Sequence, residues 1–251
     1  MSPNLLILGG TTEASALAAL LAARRLQGTV SFAGRVAHPT RQPLPARVGG
    51  FGGVAGLVDY LTARRITHVI DATHPFAAQM SHNALAACAQ ARVPLIALTR
   101  PAWQRQDGDD WLHVPDIAGA VAALDRPATR VMLAVGRMHL AAFAPQPQHD
   151  YLLRLVDPPD CPLPLPRTTV IVDRGPFAAD ADRALMERHR IRIVVAKNAG
   201  GTGASAKIAA ARALHLPVVM IDRPVLPARH EVHDPAAVLD WLAHDAALRG
   251  V

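Results

Sequence analysis

Lysine is nearly missing from this 251-residue chain: of its 26 basic residues only Lys197 and Lys207 are lysines, and both fall within one eleven-residue stretch. Glutamate is almost as scarce, represented by Glu13, Glu187 and Glu231. An alanine-rich chain with arginine in place of lysine reflects coding bias, so the positions where an ammonium survives stand out. Cysteine occurs twice, at Cys88 and Cys161, with no metal-ligand spacing around either. That excludes a disulfide framework or a zinc module and leaves reduced, structural thiols. Aromatic residues make up 4% of the chain and no run of five or six basic residues occurs, so it has little material for base-stacking platforms and argues against nucleic-acid binding. No stretch reaches the about eighteen apolar residues that a membrane-spanning helix needs. The opening MSPNLLILGG has a short apolar run without a basic leader, which reads as a first strand and not as a signal peptide. The expected location is the cytoplasm.

What is present describes a compact protein. Hydrophobic residues make up 51% and charged residues 18%, with a mean hydropathy of +0.17, a balance that excludes a disordered chain. At roughly 100 to 200 residues per domain the length allows one large or two small domains. The formal charge of +6 favours an anionic partner: nucleic acid, an anionic membrane, or a small molecule carrying several carboxylates or phosphates. The arginines are scattered, which points to the last of these. Oligomeric state has no signature in the sequence, and a monomer is compatible with it.

Apolar strand-like runs alternate with helical patterns from the amino terminus. Strands are expected at Asn4 to Leu8, Thr29 to Ala33, Thr67 to Ile70 and Pro94 to Leu98, with helices at Glu13 to Gln27, Val54 to Arg65 and about Ala77 to Ala91. A second cycle begins at Trp111 to Val114. It continues through helix Ile117 to Leu124, strands at Thr129 to Val135, Tyr151 to Val156 and Val170 to Val172, helix Ala178 to His189, strand Ile191 to Ala196, helix Ala206 to His215 and strand Val218 to Ile221, and closes with helix Pro235 to His244. This order predicts an α/β protein of two domains, residues 1–110 and 111–251, each with a parallel sheet, helices on both faces and ligands at the carboxyl ends of the strands. Two proline-rich segments, Val36 to Arg47 and Asp157 to Pro166, are expected to be extended and irregular.

Seven strand ends carry candidate chemistry. Gly9-Gly10-Thr11-Thr12-Glu13 follows the first strand at a helix start, where glycines let the backbone approach a phosphate and free N–H groups favour an anion; the same residues also suit a plain strand-to-helix turn with a threonine cap. Gly34-Arg35 follows the second strand, where an arginine in place of the usual acidic residue suits a 2′-phosphate and therefore NADPH. Asp71-Ala72-Thr73-His74-Pro75 leaves the next strand, placing Thr73 and His74 where they could bind a ligand or exchange a proton. In the second half, Lys197-Asn198-Ala199-Gly200-Gly201-Thr202-Gly203-Ala204-Ser205-Ala206-Lys207 holds both lysines. It lacks the P-loop pattern, but an ammonium can release a proton where a guanidinium cannot, and the glycines suit a mobile lid. Gly136-Arg137, Arg174-Gly175-Pro176-Phe177 and Arg223-Pro224 offer further basic groups at strand ends.

Together LGGTTEA, AGR after the second strand, DATHPFA, RPAW near residue 100, RGPF at 174–177 and KNAGGTGASAK resemble, in order and spacing from about residue 5 to 224, the precorrin-6A reductase family of cobalamin biosynthesis. The resemblance implies two Rossmann-like domains with the active-site cleft between them, NADPH bound by the first and a polycarboxylate tetrapyrrole by the second. It also implies hydride transfer from NADPH to one carbon of a ring double bond and a proton to its neighbour, without flavin or metal. Carried over residue by residue, Gly10, Thr11, Thr12 and Glu13 would line the cofactor loop and Arg35 would read the 2′-phosphate. Thr73 and His74 would sit near the junction of cofactor and substrate. Arg137, Arg174, Lys197, Gly201, Ser205 and Lys207 would hold the substrate, with Lys197, His74 or a water as proton donor. The cobalt-bound substrate of the anaerobic route and a non-catalytic NADP(H) sensor are the alternative readings.

Overall fold

The computed structural model describes residues 3–34 and 41–248, and the side chains as far as Asp245. Its strands are β1 (Asn4–Leu8), β2 (Gln27–Phe32), β3 (Ala46–Val48), β4 (His68–Asp71), β5 (Leu95–Leu98), β6 (Trp111–Val114), β7 (Arg130–Ala134), β8 (Asp150–Leu155), β9 (Thr168–Val172), β10 (Ile193–Lys197), β11 (Val218–Ile221) and β12 (Glu231–Val232). The helices are α1 (Thr12–Ala23), α2 (Gly53–Ala63), α3 (Ala78–Ala91), α4 (Ile117–Ala123), α5 (Ala179–Arg188), α6 (Ala206–Ala213) and α7 (Pro235–Leu248), with a 3-10 helix at Arg137–Phe143.

Two compact units result, one of Met1–Pro101 with Val225–Val251 and one of Ala102–Pro224. This differs from the expected division at residue 110, for local reasons at both crossings. Residues 102–110 are bound to the second unit through Trp103, whose backbone N–H reaches Asn198 Oδ1 at 2.8 Å, and through Asp109, which pairs with Arg212 at 2.9 Å. Residues 225–251 return to the first unit because β12 pairs with β5, Val238 and Leu242 of α7 join the α1 core, and Asp245 meets the buried His68 at 2.9 Å.

Each unit contains one six-stranded sheet, in the orders β3-β2-β1-β4-β5-β12 and β9-β8-β7-β10-β11-β6, and the strands pair in parallel throughout. The two orders share one plan. In each, the chain runs outward over three strands and then returns to the other side of the first of them, leaving a switch point between β1 and β4 and another between β7 and β10. At such points the loops leaving the carboxyl ends diverge and open a crevice for ligands.

Burial on both faces explains why β1 reads as one continuous apolar run. Leu5 and Ile7 pack with Leu17 and Leu21 of α1 and with α7, while Leu6 and Leu8 pack on the other face with Leu57 and Leu61 of α2 and Ala84 and Ala87 of α3. In the second unit Met132, Leu152, Val194 and Met220 of the sheet pack against Met186 of α5 and Ile208 of α6.

Helices α1, α2, α4, α5 and α6 end one to four residues earlier than expected, whereas α3 ends at Ala91 as expected and α7 runs on to Leu248. Arg25, Arg65, Arg92, Arg190 and His215 carry positive φ values of 50° to 57° just past α1, α2, α3, α5 and α6, a position that usually calls for glycine. With a basic residue there instead, the stop has no sequence signature, and the apolar pattern runs on into the turn. Basic side chains do suit the negative end of a helix.

Candidate functional site

At the first switch point the glycine loop and the loop after β4 are joined. Thr11 caps α1: its Oγ1 accepts from Ala14 N at 3.1 Å and donates to the Ala72 carbonyl at 2.8 Å. Gly9 is required for close packing, since a Cβ there would stand 2.9 Å from Val30 Cγ1. Gly10 has φ +121° and open space where a Cβ would lie, with nothing within 4 Å. The first intrahelical backbone bond is Ser15 N to Thr11 O, so the N–H groups of Thr12 and Glu13 have no partner within the helix and face the turn. Glu13 receives the Thr12 hydroxyl at 3.1 Å and pairs with Arg100 at 3.6 Å. Its carboxylate is thereby neutralised beside a helix start whose dipole attracts anions.

Thr73 gives both its N–H (3.2 Å) and its hydroxyl (2.7 Å) to Asp71 Oδ1. His74 is exposed, and its Nδ1 accepts from Phe76 N at 3.2 Å, which leaves the proton of a neutral imidazole on Nε2. Arg35 lies outside the described residues. Asp71, although it opens the DATHP segment, was not among the expected site residues; nor was Arg229, which pairs with it at 2.8 Å. A carboxylate at the tip of a switch-point strand was a usable signal for Asp71. Arg229 had none, because its role depends on a segment 158 residues away in sequence.

Cys88 packs beneath β4. Burial, and then the negative charge of Asp71, push its thiol from 9.0 up to about 12, so the folded state keeps the proton that the unfolded chain loses near pH 9. The stabilisation is complete below pH 9 and is lost as the pH rises toward 12. Thiol labelling of the native protein at pH 8 is therefore expected to modify the exposed Cys161 alone, with Cys88 reacting only after denaturation; equal labelling rates would contradict this burial.

At the second switch point Lys197 closes β10, half-buried, beside the buried Asn198. The glycine-rich loop that follows, expected as a mobile lid, is held along its length. Asn198 exchanges two hydrogen bonds with the backbone of Trp103, at 2.8 and 3.1 Å, and Trp103 Nε1 donates to the Gly201 carbonyl at 2.7 Å. Arg223 donates to the carbonyls of Asn198 and Ala199 at 3.0 and 3.1 Å. Ser205 Oγ donates to the Thr202 carbonyl at 2.9 Å. Lys207 Nζ donates to the Ala204 carbonyl at 2.6 Å and lies 5.0 Å from the centre of the Trp103 ring. Lys207 thus secures the loop by a hydrogen bond and a cation–π contact.

Arg137 and Arg174 both turn toward the proline-rich connection between β8 and β9. Arg137 meets Asp160 at 3.0 Å, a hydrogen bond that raises its pKa further, and Arg174 meets Asp157 at 3.7 Å. Both pairs are solvent-exposed, and exposed pairs are weak. The structure therefore gathers Gly10, Thr11, Thr12, Glu13, Thr73 and His74 in the first unit, and in the second places Gly201 and Ser205 on the loop between β10 and α6, with Lys197 and Lys207 at its two ends. A cavity of about 430 Å³ lined by Arg130, Arg167 and Arg188 lies at the other, amino ends of β7 and β8. Among the described residues no cluster of three or more metal-ligating side chains occurs, and no helix is long and apolar enough to cross a membrane.

Two parallel six-stranded sheets, each with a ligand-type loop at its switch point, define a two-unit Rossmann-type α/β protein. The chain belongs to the precorrin-6x reductase family CbiJ/CobK, whose family model matches residues 4–243. It is 58% identical over 249 residues, 99% of each chain, to the precorrin-6A reductase of Rhodobacter capsulatus. It is 29% identical over 232 residues, 88% of this chain and 90% of the other, to the cobalt-precorrin-6A reductase of Priestia megaterium. A solved structure described as CobK precorrin-6A reductase superimposes with a TM-score of 0.93 at 58% identity, covering 96% of both chains.

Proposed function

We propose that this chain is an NADPH-dependent precorrin-6A reductase, which converts precorrin-6A to precorrin-6B by saturating one ring double bond. Family membership across residues 4–243 is the observation that carries the reading. The twofold higher identity to the precorrin-6A enzyme than to the cobalt-precorrin-6A enzyme favours the metal-free substrate.

The first unit suits a dinucleotide phosphate. The open backbone at Gly10 leads into the start of α1, where N–H groups and helix dipole would meet a pyrophosphate. Arg100 offsets the Glu13 carboxylate, and Arg35 would hold the 2′-phosphate. Bound NADPH would supply the hydride. Thr73 and His74, on the loop after β4, would orient the nicotinamide end. In the second unit the ion pairs of Arg137 and Arg174 are exposed enough to exchange Asp160 and Asp157 for substrate carboxylates, and Lys197 Nζ would deliver the proton to the carbon beside the one reduced. Most of the rate enhancement then comes from holding two reactants in register.

The test is a spectroscopic assay of purified protein with NADPH and precorrin-6A. NADPH consumption together with a changed tetrapyrrole spectrum supports the reading; neither change would sink it, and tight NADPH binding without turnover would favour a sensor. Turnover of the cobalt-bound substrate alone would assign the chain to the anaerobic reaction. For the cofactor, Arg35→Ala is expected to weaken NADPH by about tenfold or more while leaving NADH nearly unchanged. Equal effects on the two cofactors would remove Arg35 from the 2′-phosphate role.

A further inference from the structure

We infer that Asp71 and Arg229 are a positioning pair, which sets the geometry of both switch-point loops of the first unit for its cofactor; the inference rests on the proposed NADPH site. Both side chains are nearly sealed from solvent, at 2% and 8% exposure, and lie 2.8 Å apart. Asp71 is fully engaged: Oδ1 accepts from the N–H and hydroxyl of Thr73, and Oδ2 accepts from the Ser81 hydroxyl at 2.6 Å and from Arg229 Nη1. Arg229 in turn gives Nε to Glu231 at 2.9 Å.

A buried ion pair is a poor device for stability alone, because desolvating two charges offsets most of their attraction, and apolar replacements of similar volume are often as stable. Here the pair stands where β4 delivers its loop to the ligand crevice. It fixes the peptide and hydroxyl of Thr73, one residue from the Ala72 carbonyl to which Thr11 is bonded, and Thr11 caps the helix of the glycine loop. One hydrogen-bonded chain therefore runs from Arg229 through Asp71 and the 72–73 backbone to the start of α1. Neither Asp71 nor Arg229 need touch the cofactor for the chain to set where the two loops stand. Arg229 belongs to the segment that rejoins the first unit after the whole of the second has been made, so residues 1–101 alone leave Asp71 a buried charge without its counterion.

The experiment compares the full-length protein with Arg229→Gln, Arg229→Lys, Asp71→Asn and the double variant Asp71→Asn/Arg229→Gln. NADPH affinity is measured by fluorescence titration, and circular dichroism with thermal unfolding is measured on the same samples. Arg229→Gln and Asp71→Asn are expected to raise the NADPH dissociation constant by about tenfold or more, with Arg229→Lys recovering part of the loss and turnover at saturating NADPH changing far less than affinity. Affinity within twofold of the parent in variants that remain folded would overturn the inference and leave the pair a structural brace. Should Arg229→Gln not fold, the double variant, which removes both charges together, and Arg229→Lys decide by the same criterion. A parent protein that binds no NADPH overturns the proposed function itself, an outcome separate from any difference among variants.

Discussion

Lys197→Arg is expected to lower turnover by about 10² to 10⁴-fold, the range attributed to a positioned general acid, while tetrapyrrole binding changes only a few-fold. The two side chains differ in what they can do. Both carry a positive charge that can hold a carboxylate, but a guanidinium does not give up its proton in a protein and an ammonium does. Lys197 ends β10 at the second switch point, half-buried, and the residue after it is locked by the backbone of Trp103 and by Arg223. Its backbone is therefore held at the end of the strand. Single-turnover measurement with NADPH and precorrin-6A separates the steps: slow chemistry with intact binding assigns proton delivery to Lys197, and full activity of the arginine variant reduces its part to charge. His74, in the first unit, is the alternative donor, and His74→Gln with unchanged turnover would set it aside.

Asp182→Ala is expected to destabilise the second unit by about 3 to 5 kcal/mol, the cost of leaving one member of a buried ion pair without its partner. Asp182 is 3% exposed in the first turn of α5 and pairs with Arg154 of β8, itself 11% exposed. Arg154 also lies 4.1 Å from the centre of the Phe177 ring. The pair thus links a strand, a helix and the RGPF turn, and its loss strands a guanidinium that has little water to turn to. Calorimetry should show a thermal midpoint lower by about 10 °C or more. The exposed Arg183–Glu187 pair, four residues apart on the same helix, is the natural contrast: Glu187→Ala is expected to cost no more than about 0.5 kcal/mol. Similar losses in the two variants would mean that burial is not what gives the Arg154 pair its weight.

Much of the fold is legible in the sequence, and the parts that are not share a cause. β1, β4, β7 and β10 were legible because parallel strands covered on both faces become unbroken apolar runs, as Leu5 to Leu8 illustrates. β3 and β12 were not, being edge strands of three and two residues whose only reason to be extended is a neighbour to pair with. At α1, α2, α5 and α6 the helix end was overrun, and there arginine or histidine, in place of glycine, takes the left-handed position. The glycine loop, the DATHP loop and the lysine-bearing loop were found because backbone freedom, a titratable group or a rare residue marks them locally. Arg100, Trp103, Asn198 and Arg229 escaped because each acts through a partner distant in sequence, whereas Asp71 carried a local signal at its strand end that went unused.

The sequence by itself determined the α/β class, the family and which loops leave the strand ends, since these follow from periodicity, from glycine placement and from motifs a few residues long. Only the tertiary structure decided that the carboxyl-terminal helix belongs to the first unit, that Lys207 secures its loop, that Arg137 and Arg174 are paired with Asp160 and Asp157, and that Asp71 has a counterion in Arg229. The physical reason is one of range. Propensity and patterning act over neighbours along the chain, whereas a buried charge is satisfied by whatever group the packed fold brings within about 3 Å, however far away that group lies in sequence.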